Sequence, residues 1–207
     1  MTQATTDTAT PAAWPDEPMR QQALQYLATR RSRWPLQEPG PDDAALAQIF
    51  ALGACAPDHA GLYPWRFQYV RGAQREVLLE RVMAHPDAQS PEVQEMRSKF
   101  ARKLTTAPVV MVLAIRVAEH PKVPEFEQFL SCGAAVMNML NAAHCLGFQG
   151  FWSTAPAPLD ALLRSVMGFE AQDRMVGILN FGTAAQPPSS PLRRVEPEAF
   201  VRAWDGA

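Results

Sequence analysis

The sequence predicts a single domain of α+β or layered α/β class, and three observations carry that reading. The run "APVVMVLAI" at 107–115 is β-branched and wholly apolar, the pattern of a strand buried on both faces. The segment 124–150, "PEFEQFLSCGAAVMNMLNAAHCLGFQG", is the longest helical pattern and is apolar nearly all round, which reads as a helix inside a domain or dimer core. Other helical and strand patterns follow in unrepeated order, with no internal repeat and no linker within 19–185. A chain of 207 residues, 47% hydrophobic and 19% charged, can bury the core that such a domain needs.

Residues 1–18, "MTQATTDTATPAAWPDEP", lack a charged n-region and an apolar h-region, and their Thr, Ala and Pro content reads as a disordered tail. The remainder, 19–207, reads as one domain with an extended C-terminal arm. A first helix covers 19–31, with Leu24, Leu27 and Ala28 at helical spacing, and stops before Pro35, which disfavours helix at Trp34. A second opens at Asp42 or Asp43 as N-cap, places Leu46, Ile49, Phe50 and Gly53 on one face, and ends at Pro57. The loop "APDHAGLYPW" (56–65) follows. Residues 65–70 alternate Trp65, Phe67 and Tyr69 against Arg66 and Gln68 as a half-buried strand, and 73–84 and 91–106 read as helices.

The central strand and the long helix come next. In that helix Phe126, Phe129, Leu130, Gly133, Met137 and Leu140 form one stripe, Ala134, Ala135, Ala142 and Ala143 admit close backbones, and Gly147 is placed to terminate it. "FQGFWSTA" and "RMVGILNFG" are strands around a short helix at 158–167, and 187–204 is a Pro-rich arm.

A net charge of -2 provides no basic field for phosphate backbones or anionic lipid, so nucleic acid and membrane are poor partners and a small solute is favoured. No apolar run approaches the roughly 20 residues of a spanning helix. Cys55, Cys132 and Cys145, an odd number without a C-x-x-C pair, fit a reducing cytoplasm. The G-x-G-x-x-G, P-loop, H-E-x-x-H and G-x-S-x-G signatures are absent. Cys55 and His59 lie four apart as a conceivable zinc pair or thiol and base, but Pro57 breaks the helix that would align them and no third group is evident, so no metal is assigned.

Three segments resist a packing explanation: "TRRSRW" (29–34), "APDHAGLYPW" (56–65) and "GFQGFWSTA" (147–155), with "PLRRV" (191–195) as a fourth. Singly each has a plain reading: arginines at a helix C-terminus complement its dipole, Trp152 suits a core, and Arg193 with Arg194 suits a solvated pair. In this order, with "HPKVPEFEQ", "CGAAVMNM" and "VGILNFG", they resemble the flavin-dependent nitroreductase family, in its short single-domain branch, over about residues 20–200. The resemblance implies an α+β, three-layer fold with a central, mostly antiparallel sheet flanked by helices, in an intertwined homodimer. It also implies FMN at the subunit interface and an NAD(P)H oxidoreductase that reduces nitroaromatics, quinones or similar acceptors by ping-pong hydride transfer through flavin N5. A same-fold flavoprotein acting on a dedicated metabolite, or an FMN- or small-ligand-binding module without turnover, are the alternatives.

Residue by residue, the resemblance gives the FMN phosphate to Arg30 and Ser32, places Arg31 toward the flavin or ribityl chain, and completes the clamp with Arg193 or Arg194. A guanidinium fork with a hydroxyl donor suits a phosphate dianion. Cys55 and His59 match positions set against the flavin of the partner subunit. Trp152, Ser153 and Thr154 match the strand along the isoalloxazine, where Gly150 would permit close backbone approach. The nicotinamide nucleotide is given to Ala142, Ala143, His144, Cys145, Leu146 and Gly147, and no side chain is required as a catalytic acid. Asp58, Gly61 and Tyr63 stand where the wider family often has Ser, Asn and Gln, and Cys55 where a basic residue is common; the short branch shares Asp58 and His59.

Overall fold

The computed structural model describes residues 16–188 and 190–206. The tail reading of 1–15 lies outside them. The chain divides into two units, 1–30 and 31–207. In the first, helix α1 (Glu17–Thr29) starts two residues inside the segment read as tail, because the Asp16 carboxylate caps it by accepting from Met19 N–H at 3.0 Å. No residue of α1 is buried, and Met19, Leu24, Tyr26 and Leu27 stand exposed.

The second unit is built on one antiparallel sheet. Its strands are β1 (Leu36–Gln37), β2 (Trp65–Arg71), β3 (Val109–Ile115), β4 (Gln149–Ser153) and β5 (Arg174–Ala184). The order runs β1-β5-β3-β2, and β4 also pairs with β5, so the longest strand carries three partners. Around the sheet lie α2 (Asp43–Gly53), α3 (Gln74–Ala84), α4 (Pro91–Glu95), α5 (Arg97–Leu104), α6 (Glu125–Cys145) and α7 (Ala157–Val166). Strand alternation divides the core. Val110, Val112 and Ile178 pack under α3, α5 and α7, while Val109, Met111, Leu113, Leu179 and Phe181 pack under α2 and α6. Every residue of β3 is buried, as its composition requires of a strand covered on both faces, and the expected three layers follow.

Local chemistry explains the boundaries. Asp42 caps α2, its carboxylate accepting from Ala45 N–H at 2.8 Å. Gly147, at φ 87°, ends α6 as predicted, with Gly147 N–H bonded to His144 O and Phe148 N–H to Ala143 O. Three details depart from the sequence reading. β1 was not anticipated, since two residues carry no periodicity. The helix expected over 91–106 is broken at Met96, which ends α4 and begins α5.

The third concerns the stripe of α6. The face buried within the chain is Gln128, Ser131, Cys132, Ala135, Val136, Met139, Leu140, Ala142 and Ala143; Phe126 (61% exposed), Leu130 (65%) and Met137 (43%) face outward. A helix apolar all round has two faces to cover, and α2 with the sheet covers only one. Cys132, on the buried side, has its thiol pushed up to about 12 by burial.

Candidate functional site

Past Arg30, the half-buried last residue of the first unit, residues 31–35 run extended beside two strands. Arg33 N–H bonds Gly150 O at 3.3 Å in β4, and Ala185 N–H bonds Pro35 O at 3.2 Å just past β5. This threading leaves a cleft of about 240 Å³ lined by Arg31, Ser32, Arg33 and Trp34 against Gln186–Pro188 and Ser190. Arg31 Nη1 donates to Ser190 O at 2.9 Å, and Arg33 Nη2 donates to Gln186 O. Trp34 packs its ring 5.3 Å from that of Phe151.

Trp34 also lines a second cavity, about 170 Å³, with Arg102, Lys103, Phe151, Ser153 and Asn180. Lys103 Nζ donates to Ser153 Oγ at 2.8 Å and to Thr154 O at 3.2 Å. Its ammonium is held below the ordinary lysine range, chiefly by burial and further by Arg102 and Lys99. Asn180 is fully buried; its Nδ2 reaches Phe151 O at 3.4 Å, and among the described residues its Oδ1 has no partner.

The two cavities together present Arg31, Arg33, Arg102 and Lys103 and no carboxylate. The hydrogen bonds of Arg31, Arg33 and Lys103 all end on neutral oxygens. A cation bound to a carbonyl keeps its full charge, so the site is poised for an anion and for acceptor atoms. A single buried acceptor, Asn180 Oδ1, asks for a donor in return.

β4 lies close against β5 at a glycine beside a bulge. The β3–β5 register shifts between Leu113 and Ala114, opposite Gly177, whose φ is 139° and where an added Cβ would lie 2.6 Å from Ser153 O. The close approach expected at Gly150 is of another kind: a Cβ there would meet the Leu140 side chain of α6 at 2.3 Å, so that glycine admits the helix.

The 56–65 loop is strained. Ala60 and Tyr63 adopt φ of 65° and 46°, beside Gly61 at 63°. Non-glycine residues in this region cost about 1–3 kcal/mol each. Two polar contacts hold the shape: Asp58 Oδ2 accepts from Tyr63 N–H at 2.7 Å, and His59 Nδ1 lies 2.8 Å from Glu127 Oε2 in the first turn of α6. Cys55 Sγ turns to Ala51 O at 3.5 Å, so Cys55 and His59 are partnered separately and do not form a thiol–imidazole pair.

The loop runs into β2, and β3 and β5 separate β2 from β4. Three inter-strand spacings amount to about 14 Å, so one chain keeps its Cys55–His59 loop apart from its 152–154 strand. Trp152 is 39% exposed. Arg193 and Arg194 are exposed beyond Ser190, whose carbonyl Arg31 holds. At the end of α6, Ala142 and Ala143 are core residues, and only His144, Cys145, Leu146 and Gly147 reach the surface. Arg33, Lys103 and Asn180 were not singled out in the sequence. Arg33 and Asn180 lie inside the quoted segments "TRRSRW" and "VGILNFG" without a role of their own there, and Lys103 shows only in the cationic "ARKL" before the central strand, which reads as an ordinary helix end.

A larger cleft of about 900 Å³ lies at the opposite end of β5, lined by Glu119, His120, Glu125, Asp160, Arg164 and Asp173 among others. Its charges largely answer one another. Arg116 Nε holds Asp173 Oδ1 at 2.7 Å and its Nη2 reaches Glu170 at 2.8 Å, while Arg174 pairs with Glu125. Arg116 holds the Asp173 carboxyl below the ordinary range, and burial raises that of Asp160. Among the described residues no group of three His, Cys, Asp or Glu is placed to hold a metal ion, and no helix is long and apolar enough to cross a membrane.

Comparison with known proteins agrees with this fold. The family model described as "Nitroreductase family" matches residues 27–183. The curated relative "Putative NAD(P)H nitroreductase YdjA" of Escherichia coli strain K12 is 33% identical over 182 residues, covering 86% of this chain and 97% of that protein. A nitroreductase-like family protein from Bacillus cereus superposes with a TM-score of 0.74 at 19% identity, over 89% of this chain and 96% of the other. The FMN and NADPH-dependent nitroreductase NfnB from sphigopyxis sp. strain HMH gives 0.68 at 18% identity, over 89% and 99%.

Proposed function

The chain belongs to the nitroreductase family of oxidoreductases, and from that premise we propose that it is an FMN-dependent NAD(P)H oxidoreductase of the reducing cytoplasm, acting on nitroaromatics, quinones or similar acceptors. The observation that carries the reading is the set of cations along β4 whose partners are all neutral oxygens. The residues present fit the cofactor. A phosphate wants the guanidinium and hydroxyl donors of 30–33, and the electron-rich pyrimidine edge of a flavin wants a cation such as Lys103. Ribityl hydroxyls and the flavin ring N–H are donors of the kind that Asn180 Oδ1 lacks.

Bound FMN would supply the exchange of hydride between NAD(P)H and acceptor at N5. The chain supplies binding, orientation and charge. Arg30, Arg31 and Ser32, with Arg193 or Arg194, hold the phosphate end; Trp152, Ser153 and Thr154 flank the ring, with Lys103 fixing Ser153 and Thr154. His144 to Gly147 offer the surface for the nicotinamide nucleotide. Cys55 and His59 serve the flavin of a second copy, which their separation from β4 within one chain supports. The outward stripe of α6 supports the same homodimer, since Phe126, Leu130 and Met137 want a partner.

The test is an absorbance spectrum of the protein incubated with FMN and desalted, followed by anaerobic NADPH and then NADH. A retained flavin band that bleaches with either nucleotide is expected. A retained band that neither bleaches would make the protein a flavin-binding module, and no retained band would overturn the cofactor reading. Parallel double-reciprocal lines with a quinone acceptor are expected for the two-step exchange, and intersecting lines would refute it.

A further inference from the structure

The His59–Glu127 contact is an expensive arrangement for a surface loop. Both side chains are substantially exposed, at 54% and 35%, and pairs so exposed add little to folding. The loop that carries His59 nonetheless adopts strained backbone at Ala60 and Tyr63, with Asp58 bracing the turn from within. A device that stores strain and returns little stability is built for orientation.

We infer that Glu127 is a positioning residue for His59: it fixes the tautomer and orientation of the ring so that Nε2 is the nitrogen left to meet flavin or acceptor. The inference rests on the flavin reading above. An ionised carboxylate only accepts hydrogen bonds, so the 2.8 Å contact puts the proton on Nδ1. Among the described residues Nε2 has no partner, and it faces its ligand as an acceptor when the ring is neutral and as a donor when it is charged. Glu127 lies in the first turn of α6, where the helix dipole favours a carboxylate, and α6 is anchored to the core by Val136, Met139 and Leu140. The loop thus borrows the rigidity of the longest helix, 68 residues away in sequence. Sequence spacing could not show this pairing, because Glu127 reads as one more polar residue at a helix start.

The experiment uses full-length protein with ¹⁵N-labelled histidine rings, loaded with FMN, and p-benzoquinone as acceptor. In the wild type at mildly alkaline pH, His59 is expected to show a protonated Nδ1 and a bare Nε2. Glu127→Ala should return the ring to the Nε2–H form that unconstrained imidazole prefers, and should lower kcat/KM for the quinone about tenfold, the loss of one oriented hydrogen bond. Glu127→Gln, whose amide oxygen still accepts from Nδ1–H, should keep the tautomer and most of the rate. An unchanged tautomer in Glu127→Ala overturns the inference, as does a changed tautomer with quinone kinetics and FMN affinity both intact. Failure of the flavin reading shows separately, as a wild type that retains no FMN; the ring signals are then read on the unloaded chain, and an unchanged tautomer still refutes the positioning role.

Discussion

The two ends of β5 carry clefts of opposite design. At its start lies about 900 Å³ of space edged by Glu119, Glu125, Asp160 and Asp173; at its far end lie cavities of about 240 and 170 Å³ edged by Arg31, Arg33, Arg102 and Lys103. In the large cleft Arg116 and Arg174 close ion pairs with carboxylates, which builds structure and leaves little field for a ligand. In the small ones Arg31, Arg33 and Lys103 are fastened by carbonyls and a hydroxyl, which orient a charge without neutralising it. The proposed site is therefore not the larger cleft. The partners of the charged groups are the guide to it.

That contrast predicts that stability and flavin affinity can be separated by mutation. The largest effect is expected from Asp173→Ala, which removes the carboxylate that Arg116 and the Glu170 N–H both bond, leaves Arg116 only Glu170, and should lower the urea midpoint more than any change below, while the folded fraction binds FMN as before. A loss of FMN affinity there would merge the two ends. The same pair sets an acid dependence. A carboxyl held below its ordinary value binds fewer protons folded than unfolded, so its stabilisation is complete above about pH 4 and fades as pH falls through the folded value. Urea midpoints should drop in that window, and Asp173→Asn should flatten the drop.

Lys103→Ala and Arg33→Ala should do the reverse. Each removes a charge-assisted contact worth about 1.5–3 kcal/mol, so FMN should bind tenfold or more weakly by fluorescence titration with an unchanged urea midpoint. Arg30→Ala should weaken FMN to a similar degree if the phosphate lies where the family resemblance puts it. Gly177→Ala tests the joint between the regions. Its Cβ would press on Ser153 O, so it should cost about 1–3 kcal/mol and weaken FMN together. Asp160→Asn is the smallest: it removes a carboxylate that burial disfavours, and should leave FMN affinity alone while shifting stability by no more than about 1 kcal/mol.

Much of this was legible in the sequence because it is local. The apolar run of β3, the Asp42 cap, the Gly147 terminus and the punctuated loop each announce themselves within a few residues. β1 and the break at Met96 did not, being too short for periodicity to register. The missed site residues fail for another reason. Lys103 meets Ser153 across 50 residues, and Arg33 meets Gln186 across 153. Such meetings follow from strand order and are invisible to spacing. The stripe on α6 was legible as apolar, but which half of an all-apolar helix turns inward is decided by α2, and only packing reveals it.

The outward half of α6 has a consequence for the chain's life before it works. Phe126, Leu130 and Met137 are as sticky during synthesis as they are afterwards, and in the proposed homodimer only another copy covers them. Concentration then becomes a folding variable. Each tenfold dilution removes about 1.4 kcal/mol from the assembled form, so a dilute preparation would bare the stripe more often and unfold at a lower urea concentration than a concentrated one.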